Sequence, residues 1–257
     1  MLGDSRHVGV LVFDHPFKNR ILAALPELEQ AVIRPHLERV MVHARDVLYP
    51  VDEPLRHVYF PEGAVLSVLT IMQSGAAVEI GTFGLEGLSG AQLILGGNRA
   101  PSKMICQVPG AALCMPVDRF LTHLKTARTF QRIVRRYTEA LFNFMGQSIA
   151  CNRLHTVDER CARWLLMTHD RVDSDEFDLT QEFLAIMLGV HRPGVSIAAG
   201  SLQEAGFIRY SRGHVQIRNR QGLETAACEC YQISADQFTR SLRSAINGDD
   251  PVEFLAF

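Results

Sequence analysis

The spacing of apolar and polar positions divides the chain into three zones. Between about residues 46 and 118 the apolar residues come in short runs: "HVYF", "VLSVLTIM", "AAVEIGTF", "KMICQV" and "ALCMPV", bounded by proline or glycine-containing turns. Runs of that length predict a small all-β body, a roll or barrel, rather than an α/β sheet. Ahead of it, "NRILAALPELEQAVIRPHLERV" reads as one or two short helices, with Pro26 and Pro35 near element boundaries.

Helical spacing returns at about residue 117. Phe130, Val134, Tyr137, Leu141, Phe144, Ser148 and Cys151 follow one another in alternating steps of four and three, a single stripe along one long helix. Such a stripe packs on the chain's own β-body or on a second copy, and Ile133, Ala140 and Ile149 widen it enough for both. Symmetric dimers are the commonest oligomers, so these seven residues are the expected dimer contact. A further helix covers about His155 to Val172, with Trp164, Leu165 and Leu166 as core, and the acidic "DSDEFD" is the loop after it. The tail from about Ile233 is polar, with one possible helix and an apolar end, "VEFLAF".

The third zone is "LTQEFLAIMLGVHRPGVSIAAGSLQEAGFIRYSRGHVQI". Thr180 offers a hydroxyl N-cap to a helix running to about Leu188, with Glu182 in its positive first turn. Gly189 can take the left-handed conformation that ends it, and Pro193 falls in the first turn of a second helix, where its missing N–H is no loss. Ala185, Gly189 and Val195 have the spacing of a helix-turn-helix. On the second helix Val195, Ala198, Leu202 and Ala205 point inward, while Arg192, Ser196, Ile197, Gly200 and Gln203 point out. Small outward residues let a helix backbone sit deep in a major groove. "GFIRYSRGHVQI" then makes two strands with Arg212-Gly213 at the hairpin tip, a basic wing suited to backbone phosphates.

Charge supports this reading. The net charge is −2, yet the segment from Val190 to Arg220 holds five arginines and one acid, so a basic segment sits on an acidic body. The candidate DNA-contacting residues are Thr180, Gln181, His191, Arg192, Ser196, Ile197, Gly200, Gln203, Arg209, Arg212 and His214.

Other chemistry is sparse. The six cysteines (Cys106, Cys114, Cys151, Cys161, Cys228, Cys230) are scattered without C-x-x-C pairing and read as reduced, buried thiols. Cys228 and Cys230 flank one Glu as possible surface thiols, but two ligands do not make a structural metal site. The ten histidines lack H-x-x-x-H or H-E-x-x-H spacing, and no G-x-S-x-G, P-loop or Rossmann fingerprint is present. No metal, no cofactor and no enzyme activity are expected. No apolar run reaches the ~20 residues that span a bilayer, and the N-terminus has no signal-peptide pattern, so a cytoplasmic protein without membrane contact is expected.

Taken in order, these elements resemble the Crp/Fnr family of bacterial transcription regulators over roughly residues 20 to 230. The resemblance implies an α+β chain: an N-terminal β-roll of the cyclic-nucleotide-binding type, a long dimer helix and a C-terminal winged helix-turn-helix. The corresponding division is 1–19 N-terminal segment, 20–126 roll with flanking helices, 127–152 dimerisation helix, 153–232 DNA-binding domain and 233–257 tail. It also implies a homodimer on a palindromic double-stranded DNA site, with RNA polymerase as a further partner if the protein activates. Within "GLEGLSGAQLILGGNRAPSKMICQV", Glu86 matches the family's effector-binding Glu and Ser102 its hydroxyl, but Pro101 stands where the phosphate-binding Arg belongs. Arg99, two residues away, is the nearest cation. A cyclic phosphate without a paired cation would be a poor ligand in a partly buried site, so cyclic nucleotide is not the expected effector. No Cys precedes Cys106, so the N-terminal iron–sulfur cluster of the oxygen-sensing members is not expected either. The competing reading is a ligand-sensing roll acting through protein contacts, with the helix-turn-helix as a packing unit; large apolar residues on the outer face of the second helix would favour it.

Overall fold

The computed structural model describes residues 17–248. Most of the N-terminal segment (1–16) and the apolar end "VEFLAF" lie outside the described residues.

Two short helices open the chain, α1 (Arg20–Ala23) and α2 (Glu27–Ile33). Buried Asn19 caps α1: its Oδ1 accepts from the Ile21 and Leu22 amides, and its Nδ2 donates to the Pro61 and Gly87 carbonyls. That one side chain satisfies helix N–H groups while tying the helix to the roll.

Seven strands follow: β1 (Glu38–Val42), β2 (Val47–Tyr49), β3 (His57–Pro61), β4 (Val65–Ile71), β5 (Ala77–Phe83), β6 (Lys103–Val108) and β7 (Gly110–Pro116). They form two antiparallel sheets, β1-β7-β3 and β2-β6-β4-β5. The five apolar runs correspond to β3 to β7. "ERV" does not continue the preceding helical stretch; it is the start of β1. α2 gives way to a single 3₁₀ turn (Arg34–His36) that contains Pro35, and Glu38–Val42 then finds its hydrogen bonds on Gly110–Cys114.

Three helices lead out of the roll: α3 (Val117–Thr126), the 27-residue α4 (Arg128–Leu154) and α5 (Val157–His169), which opens on a Thr156–Glu159 capping box. Phe120 and Phe130 meet edge to face, with ring centroids 5.6 Å apart, and both lean on Phe60 of the roll. The α4 stripe is taken up within the chain. Phe130, Val134 and Tyr137 are buried in the roll's core, the Tyr137 hydroxyl donates to the Leu88 carbonyl, and Phe144 packs against Phe238. Of the seven residues expected at a dimer seam, Phe130, Val134, Tyr137, Phe144 and Cys151 are buried in the single chain, so the own-chain alternative describes them.

The remainder comprises β8 (Glu176–Asp178), α6 (Gln181–Leu188), α7 (Arg192–Glu204), β9 (Ile208–Ser211), β10 (His214–Ile217), α8 (Arg220–Ala226) and α9 (Cys230–Asn247). "DSDEFD" is not all loop: Glu176–Asp178 pairs antiparallel with Gln216–His214, and Phe177 is buried. The stretch expected as a polar tail is mostly helix α9, whose Phe238 packs on Tyr137 and Phe144 of α4. A second core joins Trp164, Leu184, Val195 and Val215 to Val65, Leu69, Ile105 and Val108 of the roll, so the helix-turn-helix region packs directly on the outer face of a sheet.

Candidate nucleic-acid interface

Helix α6 begins where the Thr180 hydroxyl accepts from the Phe183 amide, and ends at Gly189 with φ 62°. That left-handed position costs glycine nothing and turns the chain. Pro193 sits in the first turn of α7, and the two helices meet at 100°. Val195, Ala198 and Leu202 are buried as the spacing indicated, together with Ala199. Ala205 is exposed, against expectation, because it caps the helix beyond the edge of the core.

The outward face of α7 carries exposed Arg192, Ser196 and Gln203, half-buried Gly200, and Ile197 at 68% exposure. A Cβ at Gly200 would meet open space. One flank of this face is organised by Gln181, whose Oε1 accepts from Arg192 Nε and Ser196 Oγ, both at 3.2 Å. Arg192 Nη1 also lies 3.0 Å from Glu182 Oε1. The wing tip is a tight turn, with Arg212 at φ 51° and Gly213 at φ 80°. Between helix and wing lies a cleft of about 400 Å³ lined by Thr180, Gln181, Glu182, Arg192, Tyr210, Arg212 and Gly213. It brings the N-terminus of α6 and the Arg212 guanidinium together with an Arg192–Glu182 ion pair.

The other candidates differ. Exposed His191 is the N-cap position of α7, and Arg209 is exposed on β9. His214 turns to the neighbouring strand: Nδ1 is 2.9 Å from Asp178 Oδ1 and Nε2 is 3.3 Å from Glu176 Oε2. The Asp178 hydrogen bond, then that of Glu176, raises its pKa above the ordinary histidine value. Both of its ring nitrogens are thereby occupied by carboxylates of β8.

The effector candidates do not form one site. Glu86 is half-buried against Arg171, with Oε1 2.6 Å from Nη2. Arg99 Nη1 donates to the Asp52 carbonyl and lies 3.5 Å from Asp52 Oδ1, on the roll's edge. Only Ser102 faces the roll's cavity, about 370 Å³, lined mainly by apolar residues including Val68, Phe83, Leu88, Met104, Leu141 and Phe142, with no Lys or Arg.

A family model of the Crp-like helix-turn-helix domain matches residues 159–226. No curated protein sequence matches the chain. Among solved structures, that of FixK2 from Bradyrhizobium japonicum is similar at TM-score 0.64 and 16% identity, over 75% of this chain and 98% of that one. A CRP-family transcriptional regulator from Thermus thermophilus is similar at TM-score 0.57 and 17% identity, over 74% and 96%. The c-di-GMP responsive global regulator CLP of Xanthomonas campestris is similar at TM-score 0.56 and 13% identity, over 75% and 99%. The chain has the Crp/Fnr fold. The α+β architecture agrees with it. No single helix among the described residues is long and apolar enough to cross a membrane.

One expectation for this Crp/Fnr-fold chain is overturned. Cys151, His155, Cys228 and Cys230 place four potential metal-binding atoms within 4.8 Å of one another, so the expectation of no metal and no cofactor does not stand. Cys228 and Cys230 are buried, not surface thiols. The hydrogen bond from Cys228, with Arg163 and His155 assisting, holds the Cys151 thiol well below its ordinary value, while Cys228 is pushed up in turn. The sequence signal was C-x-x-x-H at one end of a helix and C-x-C downstream, neither of which resembles a metal motif alone.

Proposed function

We propose that the protein is a homodimeric, sequence-specific DNA-binding transcription regulator. The carrying observation is the outer face of α7. It bears Arg192, Ser196, Gly200 and Gln203 with one apolar Ile197, beside a basic wing tip across a cleft of about 400 Å³. A helix that served only for packing would turn large apolar residues outward. In this reading α7 enters the major groove, Arg192 leaves Glu182 to meet base edges, and Arg212 meets phosphate. Ile197 suits an apolar contact such as a thymine methyl.

Dimerisation runs through α4, on the face the chain leaves open. Phe142 and Ile149 stand one heptad apart and are 59% and 73% exposed. Two copies paired along that face would present two recognition helices to a palindrome. The roll is a sensor body whose cavity offers apolar wall and no cation, and so suits no cyclic phosphate. Selection of bound duplexes from a random DNA pool, with purified protein and no added ligand, tests the reading. It should return one palindromic motif; unenriched sequence would favour the protein-partner alternative.

A further inference from the structure

At the joint between α4 and α5, the chain brings together atoms that the DNA-binding reading does not use. Cys151 lies in the last turn of α4, His155 is its C-cap, and Cys228 and Cys230 flank the start of α9. The three cysteines are each 5% exposed or less. Cys151 Sγ and Cys228 Sγ are 3.6 Å apart, as are Cys230 Sγ and His155 Nδ1. A tetrahedral ion with Zn–S near 2.3 Å and Zn–N near 2.0 Å has S···S edges of about 3.8 Å and S···N edges of about 3.5 Å. Two opposite edges of that tetrahedron are therefore at the right span. A disulfide would need sulfurs about 2.05 Å apart. Thiolates on separate irons of a cluster would stand wider than these four atoms do.

The surroundings are those of a metal site. His155 Nε2 lies 3.1 Å from Glu229 Oε2. Donation of Nε2–H to that carboxylate selects the tautomer whose Nδ1 lone pair faces Cys230. Gln147 Nε2 donates to Cys230 Sγ at 3.0 Å. Arg160 and Arg163 are buried nearby; neither makes a direct ion pair with a carboxylate among the described residues, and Arg163 has only the longer-range charge of Glu79. Buried cations need a counter-charge. Three thiolates, one neutral imidazole and a divalent ion leave a single negative charge beside them.

We infer that Cys151, His155, Cys228 and Cys230 form a closed, four-ligand structural site for one zinc ion that pins the start of α9 to the joint between α4 and α5. Zinc entry converts three thiols to thiolates and releases their protons to water. With all four positions taken by protein, no open position remains for chemistry at the metal. The inference is independent of DNA binding.

The test uses full-length protein purified under reducing conditions without chelator, with metal content measured by mass spectrometry. The expected result is close to one zinc per chain. After chelation, reduced protein titrated with Co2+ should develop the visible bands of a tetrahedral ion and a near-ultraviolet thiolate band, saturating at one equivalent. Cys228→Ser and His155→Ala should each abolish or strongly weaken the bands, while Cys106→Ser, in the roll, should keep them. Circular dichroism of the chelated proteins identifies any variant that has merely unfolded. Wild-type protein that is folded and reduced yet takes up neither ion would overturn the inference, whatever the variants do. So would cobalt bands that survive both ligand substitutions, or a Cys151–Cys228 disulfide in a protein whose reduced form binds no metal.

Discussion

Arg171 donates from Nε and Nη2 to a single oxygen of Glu86, at 2.8 and 2.6 Å, joining the roll to the segment that follows α5 across 85 positions of sequence. Nη1 and Nη2 also donate to the Met167 and Thr82 carbonyls, so each nitrogen of the buried guanidinium has a partner. Removing one partner of such a pair leaves an uncompensated buried charge. Glu86→Ala should cost about 3–5 kcal/mol in urea unfolding. Glu86→Leu combined with Arg171→Met should recover most of it, because an apolar pair leaves no stranded ion. Equal losses in the single and double variants would show that the pair is not what the site needs.

A second contact between roll and α5 should make stability depend on pH. Glu79 accepts from Ser67 Oγ at 2.7 Å and Trp164 Nε1 at 3.2 Å. Burial pushes its pKa from 4.5 up to about 7, against those hydrogen bonds and the charges of Arg171 and Arg163. The folded state then binds this proton more tightly than the unfolded chain. Its stabilising contribution is full below about pH 4.5 and is lost as pH rises through about 7. Above that, the cost is on the order of 1–3 kcal/mol. Relative to wild type, Glu79→Gln should gain stability steadily from about pH 5 to 8. A difference constant across that window would mean that Glu79 titrates normally.

Base reading and phosphate contact should separate in binding isotherms. Arg192→Ala should cost about 1–3 kcal/mol on the cognate site and relax preference at one base pair per half-site. Arg212→Ala should weaken cognate and scrambled duplexes by similar factors. It should also lower the slope of log affinity against log salt by about one unit for each phosphate no longer neutralised. Wild-type behaviour in both variants would remove α7 and the wing from the DNA.

On α4, assembly and folding should fail at different residues. Phe142→Glu with Ile149→Glu places like charges across the proposed two-fold and should give folded monomers by sedimentation velocity. Phe144→Ala, on the buried face against Phe238, should cost about 3–5 kcal/mol of stability while leaving the assembly state unchanged. A folded double-glutamate variant that still dimerises would place the interface elsewhere.

Cyclic AMP at about 1 mM should shift neither melting temperature nor DNA affinity, since real binding would show as linkage. The cavity it would need has no cation, and Arg99 is held at the edge by Asp52. A saturable melting shift would mean that the loop moves to bring Arg99 in.

What could be read from the chain itself rested on neighbours a few residues apart. The Thr180 cap, the Gly189 turn, Pro193 at the start of α7 and the Arg212-Gly213 hairpin are each set by local backbone stereochemistry and hydrogen bonding, and each is where the spacing indicated. Periodicity on α4 likewise showed that one face is buried, because a 3.6-residue repeat reports a stripe. It carried no information on what covers that stripe. The covering is the roll and α9, a helix that begins only at Cys230, far downstream, and lays Phe238 on Tyr137 and Phe144. The same limit hid β8, an acidic segment that becomes a strand only because β10 offers it hydrogen-bond partners. It hid the Glu86–Arg171 pair and the Cys151, His155, Cys228, Cys230 cluster as well. Their partners lie far apart along the chain, and only packing of the whole fold brings their charges and sulfurs within a few ångströms of each other.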